Sequence, residues 1–233
     1  MTEKHLSSQF DKELQLVSIQ LNELGCKVDG QICQIVEALF HLDVASVRQV
    51  LAVEAEVNAL ESGIDHEITN IIAKRQPAAR DLRLLMAMSK VSSNLARVGN
   101  EADRMAHKVL TLIGRGPRGA WPNQELTVLA KSTTELLGAA LDAFSRLDLA
   151  AAVAVLKEDT LRSGEVNELV HTLVHRVIEV PHMTTFFVEV ISLAKSLEQV
   201  VDHAKHIAEL VIYVVNGADV RHTPVEQIES LVN

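Results

Sequence analysis

The sequence predicts an all-α protein made of two tandem antiparallel three-helix bundles that are related by an internal repeat. Apolar residues recur in steps of three and four over long stretches, which is the pattern of helices packed against other helices. Only 3% of the 233 residues are aromatic, and there are ten glycines and five prolines. Aromatic residues, which strands favour, and glycines, which hairpin turns need, are therefore too few for a β-rich fold. In addition, one long apolar pattern occurs twice.

The repeat is clearest in the helix predicted for residues 190–214. Its apolar positions are Val190, Leu193, Leu197, Val200, Ala204, Ile207, Val211 and Val214. The segment 88–112 carries the same pattern 102 residues earlier, at Met88, Val91, Leu95, Val98, Ala102, Met105, Val109 and Leu112. We call each set an apolar seam. Both segments are expected to organise the packing of a bundle.

Three helices are predicted in the first half of the chain. The first covers residues 8–41 and ends at a short break, where Asp43 is placed to cap the next helix. The second helix runs to about residue 74. Pro77 ends it or bends the junction, and the third helix runs from about residue 78 to 113. Helices joined by such short turns must lie antiparallel.

The second half repeats this order. Residues 114–123, GRGPRGAWPN, are the clearest linker in the chain. The fourth helix covers about 123–146, and the break at Leu147 and Asp148 matches Leu42 and Asp43. The fifth helix runs to about residue 179, Pro181 ends it, and the sixth contains the seam of residues 190–214. The expected domains are 1–114, a linker at 115–122, 123–217, and a C-terminal tail at 218–233.

Charge and hydropathy exclude several classes of function. The formal net charge is −9, which disfavours nonspecific binding to nucleic acid because that binding needs a cationic surface. No run of 18 apolar residues exists, so no transmembrane helix or membrane insertion is expected. The N-terminal residues 1–13 are polar and lack the apolar segment of a signal peptide. A cytoplasmic location is the expectation.

Three short motifs carry a resemblance to a known family. Residues 75–83, RQPAARDLR, lie at the predicted junction between the second and third helices and resemble the same junction in the PhoU family of phosphate-transport accessory proteins. Residues 197–204, LEQVVDHA, resemble its L-E-R-x-x-D-H-A motif. Residues 208–213, AELVIY, followed by 217–222, GADVRH, resemble its C-terminal end. The resemblance extends over essentially the whole chain, including the two-repeat plan.

The resemblance implies a specific role. Members of this family are built from two three-helix bundles, are often dimeric, and lie in the bacterial cytoplasm. They repress the phosphate-starvation response when phosphate is plentiful, by connecting the phosphate ABC transporter to a sensor histidine kinase. We therefore expect a non-enzymatic regulator whose partners are the transporter ATPase, the kinase and a second copy of the chain. The family can also bind metal ions through acidic E/D-x-x-x-D motifs.

One such acidic pair is intact on the sixth helix. Glu198 and Asp202 are one turn apart, and His206 extends the same face. Two carboxylates at this spacing repel each other, and a bound Mg²⁺, Mn²⁺ or iron ion would reverse that effect. The sequence predicts at most one weak ion here. The alternative is a solvated acidic edge that Lys195 and Lys205 screen.

The other motif positions have lost most of their carboxylates. Of eight expected acidic residues, only Glu54, Glu198 and Asp202 remain, and the replaced positions are Asn58, Ala96, Asn100, Ser163 and Asn167. Alanine cannot bind a metal, and asparagine is neutral. A multinuclear cluster in the first bundle is therefore not expected, which suggests a divergent member of the family.

Other candidate sites have weaker support in the sequence. His171 and His175 have a spacing that can hold zinc, but no third ligand is evident. Arg75, Arg80 and Arg83 could meet an anion or a partner, or form salt bridges with the second and third helices. No glycine-rich phosphate loop and no local signature of a catalytic nucleophile is found. A metal-carboxylate redox or storage protein, and a helical scaffold for another membrane complex, are the alternative functions.

The two cysteines, Cys26 and Cys33, are seven residues apart in the first predicted helix. Seven helical residues rise roughly 10 Å, which is too far for a disulfide. We expect buried, reduced thiols.

Overall fold

A computed structural model describes residues 8–114 and 123–232 of the chain. The predicted linker at 115–122 and the N-terminal residues 1–7 lie outside the described residues. Six long helices follow one another in two sets of three, and a 3-10 turn at Pro181–Met183 precedes the last of them. Their bounds are α1 Ser8–His41, α2 Val44–Arg75, α3 Ala79–Gly114, α4 Asn123–Arg146, α5 Leu149–Glu179 and α6 Thr184–Asn216, and a short helix α7 covers Val225–Val232.

The first turn of each bundle is built in the same way. Leu42 and Leu147 both adopt a left-handed backbone conformation, with φ of 53° and 49°. The aspartate that follows is extended and caps the next helix: Asp43 accepts hydrogen bonds from the backbone N–H groups of Ala45 and Ser46, and Asp148 from that of Ala151. The predicted cap at Asp43 is confirmed, and the matched geometry supports the internal repeat.

The second turn differs between the bundles. In the first bundle, α2 ends at Gln76, which is left-handed with φ of 49°, and Ala79 is also left-handed with φ of 47°. In the second bundle the chain passes from Val180 through the 3-10 turn directly into α6. Pro77 and Pro181 therefore both stand at helix ends, because proline has no backbone N–H group to donate within a helix.

The two seams meet at the centre of the molecule. Every seam residue of α3 and α6 is buried, from Val91, Leu95 and Val200 at 0% exposure to Met88 at 6%. The helices α3 and α6 pack against each other as well as against the helices of their own bundles, and α1 packs against α4. As a result the two bundles share one continuous apolar core. The predicted all-α fold of two repeated bundles is confirmed.

Polar contacts add to the junction between the bundles. Lys108 of α3 donates hydrogen bonds to the Ser192 carbonyl at 3.2 Å and to the Ser196 hydroxyl at 3.1 Å, both on α6. The Arg83 guanidinium lies 3.4 Å from the Val214 carbonyl near the end of α6. Gly217 then ends α6 in a left-handed conformation with φ of 74°, which glycine adopts without steric cost.

Among the described residues, no helix is both long enough and apolar enough to cross a membrane.

Two glycines inside α1 provide a matched test of the packing. A Cβ atom added at Gly30 would meet no atom within 4 Å, whereas at Gly25 it would lie 2.6 Å from Leu141 Cδ1 of α4. We expect Gly30→Ala to raise the free energy of unfolding by about 0.5 to 1 kcal/mol, because alanine loses less backbone entropy in a helix. Gly25→Ala should raise the free energy of unfolding by less than Gly30→Ala does, since the Leu141 side chain has to move to make room for the new Cβ atom. Urea denaturation of both variants measures the difference, and a Gly30→Ala protein that is no more stable than the wild type would contradict it.

Candidate functional site

The acidic pair predicted on α6 lies at the interface with α5. Glu198 Oε2 accepts a hydrogen bond of 2.7 Å from the ammonium group of Lys195. The same ammonium group lies 3.4 Å from Oδ1 of Asn167 on α5. Asn167 is the α5 position at which the acidic motif has lost its carboxylate. The Lys195 ammonium group therefore lies between two positions of the acidic motif.

Asp202 is half-buried and surrounded by other acidic groups. Burial raises the pKa of its carboxyl group, the neighbouring carboxylates of Asp159 and Glu198 raise it further, and His206 and Lys205 oppose the shift. Its predicted companion His206 is exposed. Burial lowers the pKa of the His206 imidazole, against the opposite influence of Asp202. The structure thus brings Glu198, Asp202 and His206 to one face of α6, as their spacing predicts.

Asp159 on α5 is an acidic residue of this face that the sequence analysis did not single out. It is 6% exposed, its Oδ2 atom lies 3.1 Å from Lys205 Nζ, and its Oδ1 atom has no hydrogen-bond partner in the described part of the chain. Asp159 precedes Ser163 by four residues, so the i, i+4 pattern of the acidic motif could have been extended to it.

The donor set for a metal ion is small. Residues 8–114 and 123–232 contain no group of three or more histidine, cysteine, aspartate or glutamate side chains arranged to hold an ion. Lys195 and Lys205 already neutralise Glu198 and Asp159. The unpaired oxygen of Asp159 and the repulsion felt by Asp202 are the features that a cation would relieve. The metal site at Glu198, Asp202 and His206 stays a prediction.

Glu209 is a second buried carboxyl group that the sequence analysis missed. It is 7% exposed, and its Oε2 atom has no hydrogen-bond partner within the described residues. Burial raises the pKa of Glu209 to about 7, and Lys205 opposes that shift. Residues 207–212 of α6 are all buried, so the apolar run around Glu209 was the available signal.

His203 joins α6 to α3 by a hydrogen bond whose direction can be assigned. Asn94 Nδ2 donates to the Lys90 carbonyl at 2.8 Å, which leaves Asn94 Oδ1 as the acceptor. Nδ1 of His203 lies 2.9 Å from this oxygen and must carry the proton. Burial lowers the pKa of His203 to about 4, so the ring is neutral at pH 7.

The remaining candidates from the sequence lie apart from this face. His171 and His175 are exposed on α5. Arg75 forms two hydrogen bonds, of 3.0 and 2.8 Å, to Glu13 of α1, so its partner is on the first helix rather than on the second or third. Arg80 is exposed.

The expectation of buried thiols is wrong. Cys26 and Cys33 are unpaired, as predicted, but both are exposed. Seven residues are close to two full helical turns, so both thiols lie on the same outer side of α1. Burial of part of the Cys33 side chain still raises the pKa of its thiol.

Comparison with known proteins agrees with the motifs described above. The PhoU domain model matches residues 21–109 and again residues 126–211. The chain is 40% identical over 230 residues to a phosphate-specific transport system accessory protein PhoU homolog from Burkholderia sp., with 98% of this chain and 97% of that protein covered. It is 31% identical to the phosphate-specific transport system accessory protein PhoU of Escherichia coli (strain K12), with 98% and 94% covered.

Two solved structures of PhoU proteins superpose on this chain over most of its length. The crystal structure of PhoU from Pseudomonas aeruginosa superposes with a TM-score of 0.85 at 36% identity, covering 90% of this chain and 100% of that one. The phosphate transport system regulatory protein PhoU from Streptococcus pneumoniae superposes with a TM-score of 0.82, covering 90% and 98%. At 20% identity the second comparison supports the fold alone.

Proposed function

The chain belongs to the PhoU family, and from this membership we propose that it is an accessory protein of a phosphate transport system. In this role it lowers phosphate-starvation signalling when phosphate is plentiful. It acts as a non-enzymatic adaptor between the ATPase of the phosphate ABC transporter and a sensor histidine kinase.

The observation that carries the proposal is the nearly full-length likeness to accessory proteins of phosphate transport, at 40% identity over 98% of the chain. The architecture is consistent with an adaptor, because helices of 24 to 36 residues present long faces to large partners. A cytoplasmic location fits partners that face the cytoplasm. A homodimer is part of the proposal, and light scattering of the purified protein tests it.

Deletion of the gene tests the regulatory role. We expect alkaline phosphatase, or another reporter of phosphate starvation, to be switched on in a deletion strain grown in high phosphate. Reintroducing the wild-type gene should restore repression. Unchanged repression in a strain without a second family member would overturn the proposal.

We also propose that Glu198 and Asp202 hold one weakly bound divalent cation, with His206 as a weaker candidate ligand. The supporting observation is the unpaired Asp159 oxygen in the same acidic group as Asp202. Carboxylate oxygens are hard ligands suited to Mg²⁺ or Mn²⁺. A redox or storage role would require more metal than this single site provides.

Lys195 offers a direct way to test the cation site. We expect Lys195→Met to tighten Mn²⁺ binding several-fold, because the competing ammonium group is removed from Glu198. Glu198→Ala should abolish the gain when it is combined with Lys195→Met. Metal analysis after dialysis against Mn²⁺ measures both effects. If the wild-type protein and the Glu198→Ala variant both retain less than about one ion per several chains, the metal proposal is wrong.

A further inference from the structure

A groove of about 490 Å³ lies between α3, α6 and the segment that follows α6. Lys90 and Arg97 of α3 line it, together with Glu209 and Tyr213 of α6. Asp219 and Arg221 close it from the C-terminal segment. Lys90 and Arg97 are about two helical turns apart and Glu209 and Tyr213 about one, so each pair lies on one face of its helix.

The rim of the groove carries three cationic side chains, Lys90, Arg97 and Arg221, and the carboxylate of Asp219. Lys90 lies over the Tyr213 ring, 5.5 Å from its centroid. Arg221 pairs with Asp219 through hydrogen bonds of 3.0 and 2.6 Å. Arg97 is exposed and forms no salt bridge within the described part of the chain. Asp219 offsets the charge of Arg221, so the attraction of this groove for an anion rests on Lys90 and Arg97.

Glu209 adds a requirement that a simple anion cannot meet. Its side chain lines the groove, is 7% exposed, and leaves Oε2 without a partner among the described residues. A carboxylate oxygen can only accept a hydrogen bond. The group that satisfies it must therefore donate a hydrogen bond, while the rest of the same ligand carries the negative charge that Lys90 and Arg97 attract.

We propose that this groove binds inorganic phosphate as hydrogen phosphate, with Lys90 and Arg97 attracting its charged oxygens and Glu209 accepting a hydrogen bond from its hydroxyl group. Hydrogen phosphate has both a hydroxyl donor and charged acceptor oxygens. Sulfate has the same shape and charge without the proton. A phosphate monoester, including a lipid headgroup, has lost its last acidic proton above a pH of about 6.

The choice of phosphate as ligand rests on the proposed function, since an accessory protein of phosphate transport could sense phosphate directly. The two proposals fail separately. If the purified protein does not bind phosphate but deletion of its gene still abolishes repression, the regulatory function stands and this inference is overturned.

Equilibrium dialysis of the full-length, EDTA-treated protein against radiolabelled phosphate tests the inference at a pH of about 8. EDTA removes any metal that could bridge the protein and phosphate. We expect saturable binding that sulfate and glycerol phosphate compete for at least about tenfold more weakly than unlabelled phosphate, because both would place a charged oxygen against the Glu209 carboxylate. No saturable binding, or equal competition by sulfate, would overturn the inference.

Three variants separate the groups involved. Arg97→Gln should weaken phosphate binding about tenfold, whereas Arg48→Gln, an exposed arginine on α2 outside the groove, should leave it unchanged. Glu209→Gln should let sulfate compete as well as phosphate, because an amide can donate as well as accept hydrogen bonds. If the preference for phosphate over sulfate persists in Glu209→Gln, Glu209 is not the group that selects the ligand and the inference is wrong.

Discussion

Replacing Glu209 with glutamine is expected to stabilise the protein by about 3 kcal/mol at a pH of about 8. The carboxyl group is 7% exposed, and burial raises its pKa from 4.5 to about 7. Ionising this group is therefore less favourable in the folded chain than in the unfolded chain. Glutamine occupies a similar volume and does not ionise, so the variant avoids that cost.

The sign of the pH dependence follows from the raised pKa. Between pH 4.5 and about 7 the unfolded chain loses its Glu209 proton more readily than the folded chain, so wild-type stability falls as the pH rises through this interval. Above pH 7 the cost is fully present, and below 4.5 it disappears. His203, whose pKa is lowered to about 4, acts in the opposite direction, since the unfolded chain gains its proton first as the pH falls below 6.5.

Glu209 and His203 have opposite effects on the pH dependence of stability. The effect of Glu209 must therefore be measured by comparing variants rather than from the wild type alone. Urea denaturation of the wild type and of Glu209→Gln at several pH values gives the difference, which should shrink to near zero at a pH of about 4.5. Glu37→Gln, an exposed position on α1, is the control and should change stability by less than about 0.5 kcal/mol at every pH. A Glu209→Gln protein that is no more stable at pH 8 would show that this carboxyl group finds a partner in solution.

Leu197→Ala is expected to cost about 3 kcal/mol of unfolding free energy, because it leaves a cavity in the seam of α6. Leu197 is 1% exposed, and its repeat counterpart Leu95 on α3 is 0% exposed. Since α3 and α6 pack against each other in one core, Leu95→Ala should have a similar cost. Either variant should shift the same single unfolding transition.

Thermal and urea denaturation, followed by circular dichroism, measure these costs. Val128→Ala provides the control. Val128 is 58% exposed on α4, so its truncation should lower the stability of the protein only slightly. Two separate transitions, of which each variant shifts only one, would show that the bundles unfold independently and would contradict the shared core.

Apolar periodicity was sufficient to predict the helices and their central faces. Seam residues such as Val98 and Val200 are fully buried, because a helix surrounded by other helices must bury a stripe of this spacing. The break at Leu42 and Asp43 was predictable from residue type alone, since aspartate is a favoured N-cap. These features depend on local chemistry that a single segment contains.

Features that depend on the arrangement of several helices were not predictable in the same way. Glutamate is seldom fully buried, so residue type alone did not single out Glu209, which the packing of α6 buries to 7% exposure. The partner of Arg75 is Glu13, 62 positions earlier in the chain. Burial was expected for Cys26 and Cys33 because cysteine is often buried, but both lie exposed on the outer side of α1.

The measurement that tests the central claim most directly is affinity capture of the chain from its native host grown in high phosphate. The adaptor role predicts that the ATPase of the phosphate ABC transporter and a sensor histidine kinase are retained together, and that the kinase is lost when the transporter genes are deleted. Retention of neither protein, or retention of a different membrane complex, would contradict the account and would favour a helical scaffold with another partner.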